Sequence, residues 1–172
     1  MSCKCFNGIK PTEKSFKLKL EVSKCKCSSR FSVKEKGKQF SIDLVKDISD
    51  IDKVKIDGFF DCTSNTKCDY LFIYKKKEIP DVFVFVELKG IDTKHAIEQI
   101  ETSVNQFYNN KGITGTNPVR GAIVASAMPK DNGTYRTAKR LTEKRIKTKI
   151  KNFRIEQKNR VFKYNPLEDS FY

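Results

Sequence analysis

Apolar and polar residues alternate through much of the first third of the chain, and this spacing is typical of β-strands with one buried face. The alternation occupies residues 16–22, 31–33 and 40–44. A polar segment with a glycine, residues 34–38, separates the last two stretches and predicts a hairpin turn. The pattern therefore predicts a β-rich N-terminal extension over residues 1–50.

Two continuous apolar runs, Tyr70–Tyr74 and Val82–Val86, indicate the centre of a sheet, because strands covered on both faces lose the alternation. A further strand is predicted just before them, at Val54–Phe60. Apolar residues then recur at helical spacing and predict a helix over residues 93–108. A short buried strand is predicted to follow the helix at Val119–Ala125.

The remainder of the chain predicts a basic helix near Tyr135–Lys151 and a terminal hairpin formed by residues 153–155 and 161–164. The predicted fold class is α/β, with a central mixed β-sheet flanked by helices. The 172 residues suit one domain. We divide it into the N-terminal extension, a core over residues 54–125, and a basic helix with a C-terminal hairpin over residues 135–172.

Basic residues outnumber acidic ones, and the formal net charge is +14. Because lysine and arginine neutralise phosphates, this excess favours a polyanionic partner, with nucleic acid as the first candidate. A general abundance of Lys, Ile and Asn is the alternative explanation. The basic helix offers candidate phosphate contacts, and a solvated helix face is the alternative there. The candidates are Lys139, Arg140, Lys144, Arg145 and Lys147.

The chain shows no secretory signal and no apolar run of membrane-spanning length, so we expect a cytoplasmic protein without membrane contact. In that compartment reduced thiols are expected rather than disulfides. Two Cys-x-Cys pairs offer an alternative, a structural Zn²⁺ site, although one intervening residue is fewer than the usual spacing. Its ligands would be Cys3, Cys5, Cys25 and Cys27.

Acidic residues stand on both central strands, at the end far from the polar turn that joins them. If Tyr74 pairs with Val82 in antiparallel register, counting back places Asp69 opposite Glu87. Two carboxylates with β-carbons about 5 Å apart repel each other unless a cation lies between them. Lys89 projects from the same face as Glu87. The register therefore predicts a divalent-cation site beside an ammonium group.

This combination suits phosphodiester hydrolysis. A hard divalent ion polarises the phosphate and lowers the pKa of a bound water, and an ammonium group stabilises the developing negative charge. Glu-x-Lys alone carries little information in a lysine-rich chain, since Glu156-Gln157-Lys158 repeats it. The alternative for the first copy is a solvated strand end with an ordinary surface ion pair.

Asp69 and Glu87-Leu88-Lys89, followed by a helix, resemble the PD-(D/E)xK nuclease superfamily, whose members share the restriction-endonuclease-like fold. The resemblance covers residues 54–125. It implies that Asp69, Glu87 and the backbone carbonyl of Leu88 bind Mg²⁺ or Mn²⁺, and that Lys89 assists catalysis. It also implies a restriction-endonuclease-like core for the predicted sheet.

A glutamine on the predicted helix extends the resemblance. Gln99 is similar to a helix glutamine that orients the active site in several branches of the superfamily, and we include it among the catalytic candidates. Branches with a Gln-x-x-x-Tyr motif carry a tyrosine four residues later, where this chain has Ser103. The alternative for Gln99 is an ordinary polar residue beside the apolar stripe.

The sequence thus predicts a small metal-dependent nuclease. The resemblance, rather than the composition, favours DNA over RNA and a role in restriction, repair or phage defence. Many relatives act as dimers, so a homodimer stays open. Two other functions also stay open: a nuclease-like nucleic-acid-binding module without catalysis, and a basic protein-interaction domain.

Overall fold

The computed structural model describes residues 31–43, 50–56, 66–75, 80–89, 91–109, 112–127 and 133–172. Within these residues the chain forms nine strands and two helices. The strands are β1 (Ser32–Glu35), β2 (Lys38–Ile42), β3 (Asp50–Lys55), β4 (Tyr70–Lys75), β5 (Val82–Lys89), β6 (Val119–Ala125), β7 (Phe153–Asn159), β8 (Val161–Asn165) and β9 (Ser170–Phe171). The helices are α1 (Thr93–Asn109) and α2 (Gly133–Lys147).

The strands form two mixed sheets. The larger sheet has the strand order β3-β4-β5-β6-β7, and the smaller sheet has the order β1-β2-β8-β9. Strands β3, β4 and β5 are antiparallel neighbours, whereas β5, β6 and β7 are parallel. The predicted α/β class and the mixed sheet are therefore confirmed.

The parallel strands end together at one edge of the larger sheet. Lys89 is in register with Ala125, and Ala125 is in register with Asn159. We name this end of the sheet the Lys89 edge. Helix α1 connects β5 to β6 and helix α2 connects β6 to β7, so each helix runs from the Lys89 edge back towards the opposite edge.

The larger sheet is buried on both faces. Alternate residues of β4 and β5, such as Leu71 and Phe85, share a core with Ile100 of α1. The intervening residues face the smaller sheet, where the ring centroids of Phe72 and Phe40 are 5.4 Å apart. Because both faces are covered, β4 and β5 carry continuous apolar runs instead of alternating ones.

The predicted terminal hairpin is wrong. Strands β7 and β8 are separated only by Arg160, yet β7 pairs with β6 and β8 pairs with β2. Arg160 has a φ of 56°, and this left-handed conformation turns the chain from one sheet to the other. Ile155 of β7 packs beneath the helices, whereas Phe162 of β8 packs between the sheets. Both side chains are buried because the two strands belong to different sheets.

The strand predicted at Val54–Phe60 begins earlier, and β3 extends from Asp50 to Lys55. Ile51 lies opposite Tyr74 and is fully buried, which explains why pairing starts in a segment that looks polar.

The two ends of the described chain meet in the smaller sheet, where β2 pairs with β8. The basic helix ends at Lys147 instead of Lys151. The strand predicted at residues 16–22 lies outside the described residues. Among the helices described, none combines the length and the apolar character needed to cross a membrane.

Candidate active site

The register of β4 and β5 brings two acidic residues together. Tyr74 pairs with Val82 and Tyr70 with Val86, so the next pair along the strands is Asp69 with Glu87. The backbone N–H of Asp69 donates a hydrogen bond to Oε2 of Glu87 over 3.1 Å. The predicted pairing of Tyr74 with Val82 is therefore confirmed.

A second hydrogen bond crosses between the strands in the other direction. The backbone N–H of Leu88 donates to Oδ2 of Asp69 over 2.7 Å. Each carboxylate is therefore held by a backbone N–H of the opposite strand. The reciprocal arrangement fixes Asp69 and Glu87 side by side at the Lys89 edge.

The carboxylate of Glu87 lies on the face of the sheet that α1 covers. Phe85, two residues earlier on β5, belongs to the core beneath the helices. Glu87 continues this row, because side chains two residues apart on a strand share a face. The side chain of Glu87 is only 3% exposed.

Lys89 places a positive charge beside Glu87. Its Nζ is 3.8 Å from Oε1 of Glu87 and donates a hydrogen bond to Oε1 of Gln99 over 3.0 Å. The side chain of Lys89 remains a quarter exposed. The structure therefore brings Asp69, Glu87, Lys89 and Gln99 into one cluster.

Helix α1 holds the segment that leads into Asp69. Nε2 of Gln99 donates to the carbonyl oxygen of Lys67 over 2.7 Å. One helical turn later, Oγ of Ser103 accepts a hydrogen bond from the backbone N–H of Cys68 over 3.0 Å. Gln99 and Ser103 are both buried. In the sequence Ser103 is only a departure from a motif, and its contact with Cys68 was not predicted.

Cys68 is fully buried next to the acidic pair. Burial raises the pKa of its thiol, the hydrogen bond with Ser103 opposes this, and the carboxylates of Glu87 and Asp69 raise the pKa further. The thiol therefore stays protonated and neutral. A neutral neighbour adds no third negative charge to the acidic pair.

The oxygen donors suit a hard divalent ion. In a strand the N–H and C=O of one residue point to the same side. Since the N–H of Leu88 points to Asp69, its carbonyl also faces β4, beside the two carboxylates. Carboxylate and carbonyl oxygens are the ligands that Mg²⁺ and Mn²⁺ prefer, and Mg²⁺ usually keeps several waters. The donor set therefore fits such an ion.

Across the described ranges, no group of three or more His, Cys, Asp or Glu side chains is arranged to hold a metal. An ion at the acidic pair would thus have two side-chain ligands from this part of the chain. The candidate zinc ligands Cys3, Cys5, Cys25 and Cys27 lie outside the described residues, and the Zn²⁺ site stays a prediction.

The basic residues of α2 fall into two groups. Lys139 and Arg145 are engaged in ion pairs, Lys139 with Glu156 at 3.1 Å and Arg145 with Glu101 at 2.6 Å. The other candidates are exposed and make no ion pair with another described residue; they are Arg140, Lys144 and Lys147. Helix α2 runs away from the Lys89 edge, and Arg140 is the first of the three along the helix.

In comparisons with protein-family models, curated proteins and solved structures, nothing matches this chain. Its function is therefore inferred from the site itself.

Proposed function

We propose that this protein is a metal-dependent nuclease that hydrolyses DNA phosphodiester bonds, with a restriction-endonuclease-like core and a PD-(D/E)xK-type active site. One observation carries the proposal: reciprocal hydrogen bonds hold Asp69 and Glu87 side by side, with the ammonium group of Lys89 3.8 Å from Glu87. Two carboxylates held side by side repel each other, and a divalent cation between them relieves that repulsion.

Each residue has a role in this reaction. Asp69, Glu87 and the carbonyl of Leu88 would hold Mg²⁺ or Mn²⁺, which when bound polarises the phosphate and lowers the pKa of a bound water. Lys89 contributes a positive charge that stabilises the negative charge developing on the phosphate. Gln99 is a positioning residue, because its amide oxygen accepts a hydrogen bond from Lys89.

Two further observations favour nucleic acid as the substrate. The chain carries a net charge of +14. Helix α2 also presents Arg140, Lys144 and Lys147 as exposed cations, and such side chains contact phosphates without reading sequence. The preference for DNA over RNA rests on the resemblance to the PD-(D/E)xK superfamily.

The experiment that tests the proposal is cleavage of supercoiled plasmid DNA by the purified protein, with Mg²⁺ or Mn²⁺ and with EDTA. We expect metal-dependent cleavage that falls by at least about 100-fold in Glu87→Gln and in Lys89→Ala, as when a group that stabilises transition-state charge is lost. A matched RNA substrate, run in parallel, tests the preference for DNA.

The second Glu-x-Lys segment of the chain supplies the matched control. Glu156 lies on β7, an edge strand of the same sheet, and its carboxylate pairs with Lys139. Glu156→Gln should leave cleavage close to that of the wild type. Metal-dependent cleavage that persists in Glu87→Gln would contradict the proposal, and tight DNA binding without any cleavage would favour the binding module instead.

A further inference from the structure

We propose that two turns at the Lys89 edge form a phosphate-binding surface for the DNA strand that flanks the cleaved bond. The surface consists of Lys36, in the turn between β1 and β2, and of Lys158 and Arg160, beside the turn between β7 and β8. We name it the two-turn surface. It deepens the proposed nuclease function and rests on it.

A continuous series of backbone contacts joins the two-turn surface to Lys89. Lys89 is in register with Ala125 of the neighbouring strand. The carbonyl oxygen of Ala125 accepts a hydrogen bond from the backbone N–H of Arg160 over 2.9 Å. Two strand spacings of about 4.8 Å therefore place the backbone of Arg160 roughly 10 Å from that of Lys89.

The second turn is attached to the first. The carbonyl oxygen of Arg160 accepts a hydrogen bond from the backbone N–H of Gln39, at the start of β2. Lys36 and Gly37 form the turn before β2 and both have positive φ values, 45° and 77°. No atom of the described residues lies within 4 Å of where a β-carbon on Gly37 would stand, so this part of the structure leaves open space at the tip of the turn.

The three cations of the surface are available to a ligand. All three are exposed, and Lys36 has 82% of its side chain in contact with solvent. Its ion pair with Glu35 spans 3.7 Å between two exposed side chains and contributes little. The side chains of Lys158 and Arg160 make no hydrogen bond or ion pair with another residue that the structure describes.

The position of the surface matches the spacing of phosphates in DNA. One strand of a duplex advances about 3.4 Å per nucleotide along the helix axis and also turns around that axis, so roughly 10 Å through space corresponds to one or two nucleotides. A strand whose cleaved phosphate lies at Lys89 would present its next phosphate to Arg160 at the turn. Lys158 projects from the face of the sheet opposite to Lys89, beside the smaller sheet, and would meet a phosphate beyond the turn. Such contacts position a duplex and do not depend on its sequence.

The test is the salt dependence of binding to a short labelled DNA duplex, followed by fluorescence anisotropy without divalent ions. The variants are Lys158→Gln with Arg160→Gln, and Lys36→Gln alone. Each lost phosphate contact lowers the slope of log affinity against log salt by about 1. We therefore expect the slope to fall by about 2 in the double variant and by about 1 in Lys36→Gln.

The matched control is Lys149→Gln with Lys151→Gln. Both lysines are exposed but lie where β7 begins, at the edge opposite Lys89, since the N–H of Lys151 bonds to the carbonyl of Gly115 before β6. The control removes the same charge as the double variant, and we expect it to keep the wild-type slope. Equal slopes in the double variant and the control would overturn the two-turn surface.

The test separates this proposal from the nuclease activity. Because binding is measured without divalent ions, the two-turn surface is judged independently of cleavage. A reduced slope in the double variant together with an inactive wild-type protein would uphold the surface and refute the nuclease. An unchanged slope together with Mg²⁺-dependent cleavage would refute the surface and leave the nuclease in place.

Discussion

Ser103 ties the candidate metal site to helix α1. Its hydroxyl accepts a hydrogen bond from the backbone N–H of Cys68, the residue before Asp69. Gln99, one turn earlier, binds the carbonyl of Lys67. Two side chains of one helix thus hold consecutive residues of the segment that presents Asp69, and they act on the site through its backbone.

We predict that Ser103→Ala weakens the binding of the metal more than it weakens the fold. The variant leaves the buried N–H of Cys68 without an acceptor, which costs about 1–3 kcal/mol of unfolding free energy. It also loosens Asp69, and the Mg²⁺ concentration that gives half-maximal cleavage should rise about tenfold, as for other groups that support metal ligands.

The measurement is a Mg²⁺ titration of plasmid cleavage below the unfolding temperature of the variant. Saturating Mg²⁺ should restore most of the wild-type rate. A rate that stays low at every Mg²⁺ concentration would contradict the positioning role. Ser170→Ala, at a partly exposed serine of β9, is the control and should leave the titration unchanged.

The sequence predicts the contacts of the candidate site only in part. Asp69, Glu87 and Lys89 could be grouped because strand periodicity and a single register determine their neighbours. The contact between Ser103 and Cys68 depends on how α1 lies over the sheet, which no local pattern encodes. The Gln-x-x-x-Tyr motif has a tyrosine at the position of Ser103, so comparison with that motif gives Ser103 no role.

Between the helices, Glu101 of α1 and Arg145 of α2 form an ion pair with two hydrogen bonds. Nε and the Nη2 atom of Arg145 donate to the two carboxylate oxygens over 2.7 and 2.6 Å, and the hydroxyl of Thr142 donates as well. The hydrogen bond from Arg145 lowers the pKa of Glu101, burial opposes this, and the bond from Thr142 lowers it further.

We predict a pH-dependent loss of stability in Glu101→Gln. Because the pKa of Glu101 is lowered in the folded state, its stabilisation is present above the ordinary carboxyl pKa and disappears as the pH falls through the lowered value. Because Arg145 is more than half exposed, Glu101→Gln should lower the free energy of unfolding at neutral pH by about 1 kcal/mol.

Urea unfolding at neutral pH and near pH 3 provides the measurement, since about 4.3 is the ordinary glutamate pKa. The difference between the wild type and Glu101→Gln should shrink at the lower pH. Glu98→Gln, at a half-exposed position of the same helix, is the control and should change stability little at either pH. A difference that grows on acidification would contradict the account.

Elements with strong periodicity were predicted well. Helix α1 and strand β6 match their predicted bounds closely, because the spacing of their apolar residues is unambiguous. Strands β7 and β8 look like a hairpin because they are adjacent in the chain. Their separation depends on two cores that lie on different faces of the larger sheet, and pattern alone does not assign a strand to a core.

At the scale of the whole molecule, Arg120 connects the two sheets. This arginine of β6 is 1% exposed, and its Nε and Nη2 atoms donate to both carboxylate oxygens of Asp169, in the turn before β9. It also donates to the backbone carbonyls of Val119 and Asn152. Burial raises the pKa of Asp169, but hydrogen bonds from Arg120 and Tyr164 outweigh it and lower the pKa.

We predict that Arg120→Met destabilises the fold by about 3 kcal/mol, because it removes a buried guanidinium and leaves its acceptors, the carbonyls of Val119 and Asn152 and the partly exposed carboxylate of Asp169, without their donor. The measurement is the free energy of unfolding in urea. Arg154→Met is the control. Arg154 also contacts Asp169, but its side chain is 35% exposed, so this variant should lose less unfolding free energy. Equal losses in the two variants would contradict the role given to Arg120.

Long-range topology was the least predictable feature. The smaller sheet joins β2 to β8, from opposite ends of the described chain. The sequence shows both as amphipathic strands but contains no signal for their pairing. For the same reason the proximity of Lys36 and Arg160 to the Lys89 edge emerged only from the structure.

The most direct test of the central claim is calorimetric titration of the purified protein with Mn²⁺. We predict that the wild type and Glu156→Gln bind Mn²⁺ with equal affinity. In Asp69→Asn and in Glu87→Gln the affinity for Mn²⁺ should fall by at least about tenfold. Equal Mn²⁺ affinity in the wild type and Glu87→Gln, or no binding by the wild type, would contradict the claim that Asp69 and Glu87 hold a divalent ion.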